Sequence, residues 1–155
     1  MIRLPKKLRF AVEAVLDIAY NTGTQPVQSK EITARQGIPR RYLEQVLQKL
    51  VRAGILSGVR GPRGGYLLAR ERRRITLGDI TRVISEPDTN VEGTDGEDGS
   101  IPKSALGVKV VRPIWDDIQD QLMEQLDAVT IEQLCLKAKE ASIDSEAAQR
   151  LDFVI

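Results

Sequence analysis

Apolar residues recur at intervals of three and four along most of this chain. Phe10, Ala11, Ala14, Val15, Ile18 and Ala19 predict a helix over 6–20 with one apolar face. The turn residues Asn21 to Pro26 end it. Ser29 is read as the cap of a short second helix carrying Ile32 and Ala34. Gln36-Gly37-Ile38-Pro39 is a tight break, with Gly37 suited to a left-handed terminus and Pro39 to the start of the next helix. That third helix, 39–53, has the clearest stripe: Leu43, Val46, Leu47, Leu50 and Val51. Gly54 stops it. Two strand-like runs, 55–59 and 66–69, then flank the loop Arg60-Gly61-Pro62-Arg63-Gly64-Gly65 and predict a projecting hairpin. Arg70, Arg72, Arg73 and Arg74 follow it. Thr76 with Asp79 marks the start of a helix over 77–85.

The pattern then breaks. Pro87 to Pro102 is acidic, glycine-rich and poor in apolar residues, which predicts a loop or linker. A long helix over 104–128 carries Trp115, Ile118, Leu122, Leu126 and Val129 on one face. Thr130 with Gln133 opens a shorter helix with Ile131, Leu134 and Ala138. The tail from Asp144 is expected to be loose. There is no internal repeat. Four parts result: a unit over 1–85, an acidic loop over 86–103, two helices over 104–143 and a tail over 144–155.

Charge changes this picture. The net charge of +1 hides a split. Residues 1–82 hold 17 Lys and Arg against 6 Asp and Glu, a net of +11, whereas 83–155 hold 6 against 16, a net of −10. A basic first half suggests a polyanionic partner. Mutual attraction of the halves, or a merely solvated surface, are the blander readings.

Composition removes several function classes. The 155 residues contain no histidine and one cysteine, Cys135. Ser-His-Asp hydrolysis, His-ligated zinc and His-ligated haem are therefore excluded, as are an internal disulfide and any multi-cysteine metal motif within one chain. No phosphate loop is present, and Asp116 and Asp117, being adjacent on a helix, do not share a face. An enzyme is not expected. No apolar run approaches the ~20 residues that cross a bilayer, and charges at Arg9, Glu13 and Asp17 argue against a signal peptide. The expected location is the cytoplasm.

Two short helices, a sharp turn, an amphipathic helix with a polar face and a basic glycine-rich hairpin together predict a winged helix-turn-helix. The fold class is mainly α with a small β-hairpin wing and a long additional helix. A helix fits the major groove of DNA, and its first residues reach base edges. Arg40 and Arg41 begin the third helix, Glu44 is suited to accept from a cytosine amine, and Gln45 is suited to read adenine or another base edge. Arg60 and Arg63 at the hairpin tip suit a minor groove or a phosphate. Against this, Arg40 and Arg41 also read as solvated side chains, and Glu44 as half of a helix-surface pair with Gln48 or Arg41. A protein-docking winged helix with an acidic partner-binding loop is the competing function.

Several stretches carry a family likeness. They are Arg9-Phe10-Ala11-Val12, Leu16-Asp17-Ile18-Ala19, Arg35-Gln36-Gly37-Ile38, Tyr42 to Leu47, Val59 to Ala69 and Ile75 to Ile80. The chain resembles the iron–sulfur cluster regulator (IscR-like) family of small bacterial winged-helix regulators, specifically over 1–85 and more weakly over 105–140. The resemblance implies a homodimeric transcription regulator that binds a pseudo-palindromic site in double-stranded DNA. It implies contacts from Arg41, Glu44, Gln45 and Arg60, with the third helix in the major groove and the wing in the minor groove. It makes the long helix a dimer helix, although packing of its stripe onto its own domain fits the pattern as well. Arg41 stands where family members carry a smaller residue, which implies a different target sequence.

The likeness breaks at the loop. Iron–sulfur members of the family hold a cluster with three loop cysteines, and this loop has none, so that cluster is impossible. Three readings stand. The loop is a solvated acidic linker. Or its carboxylates bind a hard cation, as Asp88-x-Asn90-x-Glu92-Gly93 faintly suggests, although Gly99 occupies the twelfth position where calcium loops carry Glu. Or Cys135 joins Asp88, Asp95 and Asp98 in an unusual, labile iron–sulfur site. Cys135 also reads as a small buried apolar residue between Leu134 and Leu136, or as a free redox thiol beside Lys137.

Overall fold

In the computed structural model residues 1–87 and 104–152 are described, and they form seven α-helices: the six that the periodicities predict, beginning with α1 (Lys6–Asn21), and one more at the end. The order is α1, α2 (Ser29–Gln36), α3 (Arg40–Arg52), β1 (Leu56–Val59), β2 (Gly65–Leu68), a short turn at Arg72–Arg74, α4 (Leu77–Ser85), α5 (Arg112–Asp127), α6 (Ile131–Glu140) and α7 (Glu146–Asp152). Ala11, Ala14, Val15 and Ile18 of α1 are buried against Leu43, Val46, Leu47 and Leu50 of α3, together with Ile32, Ile55, Ile80 and Ile131. The stripe read from the sequence of α3 is therefore core. Gly37 closes α2 at φ 66° and Gly54 follows α3 at φ 75°, conformations in which a Cβ is costly.

The wing is an antiparallel pair in which Leu56 faces Leu68 and Val59 faces Gly65. Val27, just before α2, adds a third short piece of strand. Its N–H donates to the Tyr66 carbonyl at 3.0 Å, and the Tyr66 N–H donates back at 2.7 Å. Gly65 is required there, because a Cβ would overlap the Val27 carbonyl. The wing is thereby tied to the entrance of α2.

Both predicted capping boxes form. Thr76 and Asp79 exchange hydrogen bonds at 3.0 Å, and Thr130 and Gln133 do so at 3.2 Å. Three expectations need correction. The cap of α2 is Gln28, not Ser29, because Glu31 lies three residues on and accepts from the Gln28 N–H at 2.7 Å. Ala34 is exposed, and Ile32 alone fills the core from α2. The tail is not loose up to Asp152: Ser145 Oγ accepts from the Ala148 N–H at 3.1 Å and starts α7.

The long helix also departs from a uniform one. Gly107–Val111 is a wide π-type turn running into α5, in which the Arg112 N–H donates to the Gly107 carbonyl five residues back. Pro113 explains it. The ring has no N–H to give and crowds the carbonyl four residues earlier, so the turn before it opens. Among the described residues, the first part of the α5 stripe is left uncovered: Trp115 is 60% exposed, and Ile118 and Leu122 are each 49% exposed. Among the described residues, its far end is the part that is docked. The Leu77 N–H donates to the Val129 carbonyl and the Ile131 N–H to the Ile75 carbonyl, both at 2.9 Å. Arg82 holds both oxygens of Asp127 at 2.8 and 2.5 Å. This pairing lowers the pKa of the Asp127 carboxyl and raises that of the Arg82 guanidinium. Gly78 lies directly under Asp127. Among the described residues, no helix is long and apolar enough to cross a membrane.

Candidate nucleic-acid interface

Burial of Leu43, Val46, Leu47 and Leu50 turns the opposite side of α3 outward. Arg40, Arg41, Glu44, Gln45 and Gln48 are all exposed there. The N-cap, Pro39, supplies no side-chain bond, so the first amides of α3 point outward unpaired by a cap. Arg40 Nε donates to Glu44 Oε1 at 2.9 Å. Glu44 thus pairs one turn back with Arg40, not with Arg41. Tyr42, half exposed, rests against the Phe10 ring with centroids 6.0 Å apart.

Beside α3 the wing encloses a cleft of about 890 Å³, lined among others by Lys30, Thr33, Arg40, Arg60 and Tyr66. Three of those side chains are cations and none is an acid. The structure thus brings Arg40 and Arg60 to one cleft, while Arg41, Glu44 and Gln45 stay on the open face of α3 and Arg63 is exposed on the wing outside the cleft. The wing tip can approach a surface closely. Gly61 is at φ 107°, and a Cβ on Gly64 would overlap the Val59 carbonyl.

Lys30 and Thr33 are members of this cleft that sequence reading missed. One signal was available. A lysine in the first turn of a helix meets the positive end of its dipole, a mildly unfavourable placement of about 0.3–1 kcal/mol. The arginines after the hairpin do different work. Arg70 donates to the Gly54 and Ala53 carbonyls at 3.2 and 3.5 Å, closing the end of α3, and Arg73 pairs with Glu71 at 2.6 Å.

A profile described as "Rrf2: Iron-dependent Transcriptional regulator" matches residues 4–137. The chain belongs to the Rrf2 family. The HTH-type transcriptional regulator IscR of Enterobacter sp. (strain 638) is 38% identical over 136 residues, covering 86% of this chain and 79% of that one. IscR of Escherichia coli (strain K12 / DH10B) is 37% identical, covering 86% and 80%. Among solved structures, T. potens IscR superposes with a TM-score of 0.71 at 33% identity, covering 93% of each chain. CymR, the global cysteine regulator of B. subtilis, gives 0.66 at 32%, covering 88% of this chain and 98% of that one. This Rrf2 protein is a DNA-binding transcription regulator with a winged-helix fold, not an enzyme.

The donor set does not fit an iron–sulfur cluster of the usual kind. Such clusters take about four ligands, mostly thiolates, and the chain has one cysteine and no histidine. Cys135 is only 4% exposed and belongs to the core, as the apolar reading expected. Burial pushes its thiol pKa up, and the nearby Arg72 guanidinium offsets part of that. Asp88, Asp95 and Asp98 lie outside the described residues. Among the described residues, no three metal-binding side chains gather. Cys135 should react with a maleimide at least about tenfold more slowly in the folded protein than in urea. The folded rate should still be rising at about pH 10, where a thiol of ordinary pKa has nearly levelled off. A folded rate equal to that in urea would show an accessible thiolate instead.

Proposed function

We propose that this Rrf2 protein works as a cytoplasmic homodimer that recognises a pseudo-palindromic DNA site, α3 entering the major groove and the wing the adjacent minor groove. The observation that carries the reading is the exposed row on α3 beside the three-cation cleft under the wing. A phosphodiester strand lying between the wing and α2 would meet Lys30, Arg40 and Arg60 together. Arg41 and Gln45 then face base edges, and Arg60 and Arg63 face the minor groove or its phosphates. Glu44 is held by Arg40 across an exposed pair, a contact worth only about 0.5 kcal/mol or less. Exchanging it for a cytosine amine at Glu44 and a phosphate at Arg40 costs little. The uncovered stripe of α5 supplies the second requirement, an apolar face for a second copy. The two recognition helices would read half-sites roughly 34 Å, one helical turn, apart.

The test uses duplexes selected by the wild-type protein from a random library, with affinity read by anisotropy. Gln45→Ala is expected to weaken binding by about 10- to 100-fold and to relax preference at one base position. Arg60→Ala is expected to weaken binding to a similar extent and, if it meets phosphate, to reduce the salt slope by about 1. Circular dichroism should be unchanged in both, since both side chains are exposed. Wild-type affinities in both variants would remove these residues from the interface. A binding constant insensitive to salt would favour protein docking over DNA.

A further inference from the structure

Arg35, at the end of α2, lies between two carboxylates. Its Nε and Nη2 donate to Asp17 of α1 at 2.9 and 2.7 Å, and its Nη1 lies 2.7 Å from Glu146 Oε1 at the start of α7. The C-terminal segment is also fixed to α1. The Glu146 N–H donates to Asn21 Oδ1 at 3.1 Å, and the Tyr20 hydroxyl donates to the Ile143 carbonyl. Ala147 lies beside Gly23, where an added Cβ would be in ordinary contact with its own at 3.4 Å. None of the buried core residues belongs to this segment. It also lies past residue 137, where the family match ends.

We infer that residues 143–149 form a strap that positions α2, and through it the α2–α3 turn, for DNA binding, with Glu146 and Arg35 as its positioning residues. The chain of contact is short. Glu146 grips Arg35 on the last turn of α2, Gly37 follows two residues later, and α3 begins at Arg40. Lys30 and Thr33 of the same α2 line the cleft under the wing. A strap that lets go leaves Asp17 as the hold on the far end of α2, through Arg35 and Gln36, and loosens that end while the core stays closed. DNA affinity then falls without global unfolding. The inference rests on the proposed function for its effect on DNA, but not for its effect on α2.

The full-length double variant Glu146→Ala with Ala147→Glu releases the strap by losing the ion pair and placing a charge against Gly23. Glu146→Gln keeps an acceptor for Arg35 and serves as the conservative comparison. Affinity for the selected duplexes, Tm and residue-resolved amide exchange are measured for each. The release variant should bind about tenfold more weakly, exchange about tenfold faster in α2 but not in α1 or α3, and melt within a few degrees of wild type. Glu146→Gln should recover most of the affinity. Wild-type affinity and wild-type α2 exchange in the release variant would overturn the proposal. So would a uniform loss of protection accompanied by a large fall in Tm, which would make the segment merely stabilising. If even the wild-type protein binds no duplex, the proposed function fails, and α2 exchange alone decides the strap.

Discussion

Arg35→Met should cost about 3–5 kcal/mol of folding free energy, the range for removing one partner of a buried ion pair. Asp17 sits on the inward side of α1 with its side chain fully buried. It accepts two bonds from Arg35 and one from Gln36, the last at 2.8 Å. Asp17 is what raises the pKa of the Arg35 guanidinium above its ordinary value, and Glu146 adds to this. Methionine matches the length of the arginine stem and fills most of its volume, so the cost is mainly electrostatic. It leaves a carboxylate in the core with one neutral donor. Urea denaturation at fixed protein concentration reads the effect. The double variant Asp17→Leu with Arg35→Met should regain a large part of the loss, because it leaves no stranded charge. A single variant within about 1 kcal/mol of wild type would mean that water or another cation reaches Asp17.

The second large effect concerns α5. Ile118→Asp with Leu122→Asp should convert the proposed dimer to a monomer and weaken binding to the selected duplexes by more than about 100-fold, the scale on which linked half-sites exceed one alone. Both side chains are about half exposed in the protomer, so the fold should survive. In a dimer they would be covered, and two charges placed in an apolar seam are strongly unfavourable. Sedimentation velocity gives the mass and circular dichroism the fold. A dimer that persists in the double variant would place the contact between copies elsewhere and remove the stripe's assigned role.

What the sequence reveals about this chain is mostly local chemistry. Gly37, Gly54 and the Thr76 and Thr130 boxes each act within four residues, so spacing is enough to read them. The α3 stripe is legible for the same reason. Contacts between distant residues are not. Asp17 and Arg35 stand eighteen residues apart, and nothing in their spacing pairs them until α2 folds back on α1. The docking of α7 depends on Asn21 and Arg35, far from it in the chain, so its short run of residues reads as a tail. Lys30 joins the cleft only because Val27 ties the wing to α2. The candidate DNA contacts were readable because helix period and exposure coincide in α3. The Arg40–Glu44 pairing was not, since Arg40 and Arg41 are both within reach of Glu44.

The wide turn before Pro113 has a consequence for insertions and deletions. An α-helix advances about 100° per residue, so one residue gained or lost elsewhere rotates everything beyond it off the apolar stripe. A π-type turn already holds one residue more than the regular helix needs. The apolar positions respect this surplus: Leu106, Val110, Trp115, Ile118 and Leu122 are separated by four, five, three and four residues, and the interval of five spans the end of the wide turn. Gly107–Val111 is therefore where this helix can shed a residue and keep the apolar positions on either side of it in phase.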